Sequence, residues 1–124
     1  LSKHIILHNK FIPHEDVEHY YCASDLVVLP YKKIYQSGVL MMTLSYERPA
    51  IVSNLPPLME VISDNENGFL FETENSIDLS DKLIQILADK KNLEIVRKKG
   101  IELINTKYGW DEIGRLTKSA YETL

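Results

Sequence analysis

Two rhythms of apolar residues alternate along the 124-residue chain. Short unbroken apolar runs, rich in β-branched and aromatic residues, occupy 4–8, 26–30, 50–53 and 68–72. Runs of this length that do not alternate with polar residues mark strands buried on both faces, as in a parallel sheet covered by helices. Between the first two, Pro13 and the acidic pair Glu15 and Asp16 start a short helix with Val17, Tyr20, Tyr21 and Ala23 on its apolar side, ending near Ser24 and Asp25. The next segment, 37–46, is apolar nearly all round (Val39, Leu40, Met41, Met42, Leu44), which predicts a helix sandwiched between the sheet and a second layer. Arg48 and Pro49 stop it. Asn54 to Pro57 reads as a loop stiffened by two prolines, with a short helix around 58–62 after it. The tight polar turn 64–68 follows, because Asn and Gly accept positive φ cheaply. The first 72 residues therefore read β-α-β-α-β-α-β.

The remainder carries helical spacing only. Ser76 is the expected N-cap of a helix bearing Leu79, Leu83, Ile86 and Leu87, and Asn92 that of one bearing Leu93, Val96, Gly100 and Leu103. A last amphipathic helix from about Trp110 presents Ile113, Leu116, Ala120, Tyr121 and Leu124. The fold class expected is α/β: a Rossmann-like parallel sheet of about four strands, flanking helices and a helical C-terminal part. With no repeat, low-complexity tract or flexible linker, residues 1–124 read as one continuous domain.

Composition narrows the class without altering this picture. A hydrophobic fraction of 44% supplies a core, while 26% charged residues suit a soluble surface. A net charge of −4, a pI near 5.5 and basic residues clustered only in pairs such as Lys32-Lys33 and Lys98-Lys99 argue against nucleic acid as a partner. Cys22 has no partner for an internal disulfide, which suits a reduced, cytoplasmic setting, and its neighbours Tyr20, Tyr21 and Ala23 make it a packing residue rather than a reactive thiol. No apolar run approaches the roughly 20 residues of a membrane span. The chain starts with Leu1 and enters its first apolar run within three residues, so it is expected to be the end portion of a longer protein.

Most catalytic signatures are missing. His4, His8, His14 and His19 never fall in a zinc-protease spacing, and no nucleophile elbow, P-loop or dinucleotide fingerprint occurs, so neither a metal nor a cofactor is expected. What remains is Gln36-Ser37-Gly38-Val39, placed where a strand empties through a polar loop into a helix. Unpaired N–H groups at such a helix start attract phosphate, and Gly38 lets it approach the backbone. An ordinary N-cap followed by a small residue explains the tetrapeptide equally well. Glu60 divides the same way, between a site carboxylate and an acidic residue complementing the dipole at the first turn of a short helix. Trp110 reads as a core or hinge aromatic, and Asp78, Asp81, Asp89, Glu94 and Glu102 as a solvated face.

Ordered motifs over most of the chain carry a resemblance. They are Phe11-Ile12-Pro13 with Val17 and Tyr20-Tyr21; 23–30, ending in Leu29-Pro30; Gln36 to Val39; Arg48 to Ser53; Glu60-Val61-Ile62; Asn67 to Leu70; and the closing Trp110 helix. In this order they resemble the C-terminal half of the second Rossmann-like domain of retaining glycosyltransferases of family four, also called glycosyl transferases group 1. Those proteins have the two-domain GT-B architecture, so the resemblance implies a portion of a GT-B C-terminal domain within a larger two-domain protein. It further implies that a nucleoside diphosphate sugar is bound as substrate, that Gln36, Ser37, Gly38 and Val39 meet the diphosphate largely through main-chain N–H groups, that Ile12 lies against the nucleobase, and that Tyr31 lies at the mouth of the same crevice. Glu60 matches a carboxylate widespread in the family beside its glycine- or proline-rich loop, and is counted among the expected nucleotide-sugar-binding residues.

Two departures qualify the carry-over. Many members have two glutamates eight positions apart across this helix, where the chain has Ile34 and Met42, so no catalytic residue is assigned. Glu47 stands where a helix-ending glycine is common, which in left-handed geometry costs on the order of 1 kcal/mol. The function expected is donor binding for transfer of a sugar, with retention, to an acceptor hydroxyl on a glycan or lipid-linked acceptor, in polysaccharide biosynthesis. The protein would be cytoplasmic, or peripheral at the membrane through its parent. The rival reading is a non-catalytic association module, with self-association through an exposed sheet edge and the parent's N-terminal domain as the other partner. A nucleotide-sugar epimerase of similar two-domain build is a third.

Overall fold

The computed structural model describes residues 2–124, with Ser2 given by its backbone alone. Three parallel strands, β1 (Val27–Leu29), β2 (Ala50–Ser53) and β3 (Phe69–Phe71), form a sheet in the order β1-β2-β3. In register, Val28 faces Ile51 across the first pair, and Val52 faces Leu70 across the second. Helices α1 (His14–Ala23), α2 (Gly38–Ser45) and α3 (Pro56–Met59) supply the connections, and α4 (Ser76–Ala88), α5 (Lys90–Thr106) and α6 (Trp110–Glu122) follow.

Every residue of β2 is buried, and its alternating side chains divide the core. Ala50 and Val52 join Leu29, Leu40, Leu44, Leu58 and Ile62 on the α2–α3 face. Ile51 joins Phe69, Phe71, Ile86 and Val96 on the α4–α5 face. A sheet covered on both faces is what non-alternating apolar runs predict.

The first expected strand does not form. Residues 2–4 make a single 3-10 turn, and Ile5, Ile6 and Leu7 continue as irregular chain with their side chains exposed. Strand preference is realised through cross-strand packing and burial, and here no described element pairs with or covers this run. The sheet therefore has three strands. The prolines also act differently from expectation: Pro56 and Pro57 are the first residues of α3, where a missing N–H is harmless. Glu60 consequently falls at the C-terminal cap of α3 rather than in a first turn.

Caps fall one to three residues earlier than expected. Asn75 Oδ1 accepts the N–H of Asp78 at 2.9 Å, and Asp89 Oδ1 accepts that of Asn92 at 3.1 Å, so Asn75 and Asp89 are the caps rather than Ser76 and Asn92. Each is a short acceptor set in non-helical backbone, as a cap requires. Cys22 is exposed, not packed. Trp110 is 87% exposed, and α6 buries none of its residues, because no described element covers its apolar side. In the 64–68 turn only Asn65 takes positive φ, at 61°. Gly68 serves close approach instead, since a Cβ there would stand 2.7 Å from Ile62 Cδ1 and 3.3 Å from the Ala50 carbonyl oxygen.

Candidate functional site

Parallel α/β sheets hold ligands beyond the C-terminal ends of their strands, where loops enter helices. In this chain residues 30–37 lead from β1 into α2, and residues 54–55 lead from β2 into α3. A cleft of about 530 Å³ is lined by the start of α2, with Gln36, Ser37 and Gly38, and by α3 and its exit, with Pro57, Leu58 and Glu60. Tyr35 and Tyr108 contribute aromatic rings to the same lining.

The start of α2 is both capped and open. Ser37 has extended backbone, and its Oγ accepts the Leu40 N–H at 3.0 Å. Accepting uses a lone pair only, so the hydroxyl hydrogen of this buried serine still has a donor role to fill. The first main-chain bond of the helix runs from Met41 N–H to the Ser37 carbonyl at 3.4 Å. The N–H groups of Gly38 and Val39 precede that closure and have no acceptor within the helix. No acidic residue occupies the first turn, so nothing on α2 itself neutralises the positive end of its dipole. A Cβ added to Gly38 would meet no atom within 4 Å, which leaves open space beside these donors. The serine therefore caps the helix, and the Gly38 and Val39 N–H groups are left without an acceptor inside it.

Gln36, Ser37, Gly38 and Glu60 thus share one cleft. Val39 belongs to it by its main chain, while its exposed side chain lies outside the lining. Tyr31 is half-buried against the α2–α3 core and does not line the cleft. Ile12 sits in a separate apolar groove of about 300 Å³ with Val17, Tyr20 and Tyr21. Dipole complementarity does not account for Glu60, because a carboxylate at a helix C-terminus meets the negative end. Ile34 packs on the core and Met42 is partly exposed, so neither position brings an acid to the cleft.

Positive charge reaches the rim only sparsely. Lys32 Nζ lies 3.4 Å from Glu74 Oε1, on the connection after β3. Lys33 Nζ stands over the Tyr35 ring, 5.8 Å from its centroid. Lys107 Nζ lies over the ring of Tyr108, 5.4 Å from its centroid, so a lysine as well as the main-chain N–H groups of α2 stands near the cleft. Tyr108 escaped the sequence reading: it follows α5 and precedes α6, far along the chain from Gln36, and no local pattern marks it. Tyr35, the immediate neighbour of Gln36, was within reach of that reading. Among the described residues no group of three or more His, Cys, Asp or Glu converges as a metal would require, and no helix is long and apolar enough to cross a membrane.

Fold and rim together define a Rossmann-like α/β domain with a helix start turned to a cleft at the C-terminal end of its sheet. The chain belongs to the family of glycosyl transferases group 1, which residues 1–103 match. It is 24% identical over 122 residues to an uncharacterized glycosyltransferase of Methanocaldococcus jannaschii, covering 97% of this chain and 31% of that protein. The chain thus spans about a third of the length of the curated relatives it matches. The crystallised C-terminal domain of the glycosyl transferase group 1 family protein LpcC from Francisella tularensis superposes with a TM-score of 0.74 at 27% identity, covering 82% of this chain and 52% of that one. Anabaena HepE, crystallised in complex with UDP, has the same fold, with a TM-score of 0.81 at 16% identity over 88% of this chain and 30% of that one. The fold is the one expected from the sequence: an α/β portion of a glycosyltransferase C-terminal domain.

Proposed function

We propose that this chain is the donor-binding region of a retaining glycosyltransferase of family four, which transfers a sugar from a nucleoside diphosphate sugar to an acceptor hydroxyl. The observation that carries the reading is the start of α2, where the Gly38 and Val39 N–H groups and the Ser37 hydroxyl meet the open space beside Gly38. That arrangement binds a diphosphate in the ground state and stabilises the charge that builds on it as the glycosidic bond breaks. The complexes of the HepE protein with UDP and with UDP-glucose support a donor of this class. Gln36 and Glu60 offer polar atoms to donor hydroxyls beside the diphosphate. No resident cofactor or metal is assigned. The chain acts as one domain of a larger two-domain protein, whose N-terminal domain brings the glycan or lipid-linked acceptor. Polysaccharide biosynthesis in the cytoplasm is the setting that follows.

The test is calorimetric titration of the protein at its natural full length with UDP-, GDP- and ADP-sugars and the matching diphosphates. Binding of at least one pair is expected. Gly38→Val should weaken that binding at least tenfold while leaving the melting temperature within a few degrees. Failure of every donor to bind, or unchanged affinity in the variant, overturns the reading.

The exposed apolar side of α6 and the unpaired edge of β1 favour a second reading, a non-catalytic association module. It requires a protein that self-associates and binds no donor in the same titration.

A further inference from the structure

We propose that Tyr108 is a donor-contacting residue, its ring forming the wall on which the transferred sugar stacks. The inference rests on the cleft being the donor site. It goes beyond membership of the family, since Tyr108 lies outside the matched residues 1–103.

Placement is the first argument. Tyr108 lines the same cleft as Gln36, Ser37, Gly38 and Glu60, although it comes from the joint between α5 and α6. Rigidity is the second. Lys107 caps α5, its N–H donating to the Leu103 carbonyl at 2.9 Å, and on the other side the Gly109 carbonyl accepts the Ile113 N–H of α6 at 3.0 Å. A side chain at Gly109 is impossible without a shift, because a Cβ would stand 2.7 Å from the Asn105 carbonyl oxygen. The tyrosine is therefore clamped between two helix ends, and the Lys107 ammonium lies over its ring at 5.4 Å from the centroid. Tyr35, the other aromatic of the cleft, is 83% exposed and must be ordered before it can contribute.

Chemistry is the third. A pyranose offers axial C–H groups to an aromatic face and keeps its hydroxyls for polar neighbours. Here the half-buried ring shares its cleft with the Gln36 amide and the Glu60 carboxylate, which suit hydroxyls, and with the main-chain donors of α2, which suit the diphosphate. A half-buried aromatic beside the Gln36 amide and the Glu60 carboxylate matches the sugar end of a sugar nucleotide, and the nearby Lys107 ammonium leaves the diphosphate as the comparison the test must make.

The experiment compares a sugar nucleotide with its own diphosphate. The pair that binds the full-length protein in the titration above is measured against Tyr108→Ala and Tyr108→Phe, with thermal melting of each variant. Y108A should weaken the sugar nucleotide about tenfold and change the diphosphate by less than about twofold, whereas Y108F should restore most of the affinity. Equal losses for both ligands, or none for either, overturn the proposal while leaving the donor site intact. Should Y108A lose cooperative melting, Tyr108→Leu replaces it; retention of full sugar-nucleotide affinity there overturns the proposal as well. Absence of any donor binding by the unmodified protein defeats the donor-site reading itself, and this one with it.

Discussion

The two ends of α2 are built on opposite principles. At its start, a Cβ added to Gly38 would stand in open space, and the Gly38 and Val39 N–H groups have no acceptor within the helix. At its finish one side of the helix is packed against α5. Leu44 is buried against Gly100 of α5, whose added Cβ would meet Leu44 Cδ2 at 3.1 Å and the Asn67 carbonyl oxygen at 3.3 Å. Glu47 takes left-handed backbone, φ 56°, and its N–H returns to the Leu44 carbonyl at 3.0 Å. Arg97 of α5 then bridges two carboxylates, donating to Glu47 Oε2 and to Glu94 Oε1, each at 2.6 Å. Its hydrogen bond to Glu94 holds that carboxyl below the usual glutamate range. One helix thus has an end tied to α5 and an end with N–H groups that no acceptor in the helix meets. Gly100 answers to packing, whereas Gly38 borders open space.

The largest effect expected from breaking this contrast is at the packed end. Leu44→Ala leaves a cavity and should lower unfolding free energy by about 2–5 kcal/mol in urea denaturation, against the negligible stability change expected for Gly38→Val. A loss below 1 kcal/mol would mean that α2 is not anchored through Leu44. Ser37→Ala comes next, removing the cap on Leu40. It should cost about 1 kcal/mol of stability, and under the proposed function also weaken diphosphate binding. A stability loss with unchanged binding would confine Ser37 to capping. The smallest effect is at Glu47. Replacing it with glycine relieves the left-handed backbone but breaks an exposed ion pair worth about 0–1 kcal/mol, so a gain of up to about 1 kcal/mol is expected from thermal melting. Destabilisation instead would show that the Arg97 bridge outweighs the backbone strain.

How far the sequence could be read depends on where each signal originates. The β2 segment was placed correctly at 50–53 because its signals are local: a run without polar interruption, between Pro49 and Asn54. The residues at 4–8 look equally strand-like, yet they stay irregular, because a strand needs a neighbour and composition cannot say whether one will be present. The left-handed Glu47 was foreseen from a missing glycine, but the arginine that answers its charge arrives from α5. At the cleft, Gln36 to Gly38 were readable as a unit since a helix start is a local event. Glu60 lines the cleft, but a first-turn dipole role for it fails, as two prolines move the start of α3 and leave the carboxylate at its far end.

By itself the sequence determined the order of strands and helices from α1 onward, the double-sided burial of the sheet, the family and the place where α2 starts. These follow from residue types within one or two turns of each other, where propensity, capping and periodicity act. Only the tertiary structure decided which of the candidate residues share a cleft, separating Ile12 and Tyr31 from Gln36, Ser37, Gly38 and Glu60. It also brought Tyr108 to them. That choice depends on how α3, α5 and α6 pack around the sheet, and contacts between segments distant along the chain leave no periodic mark in it.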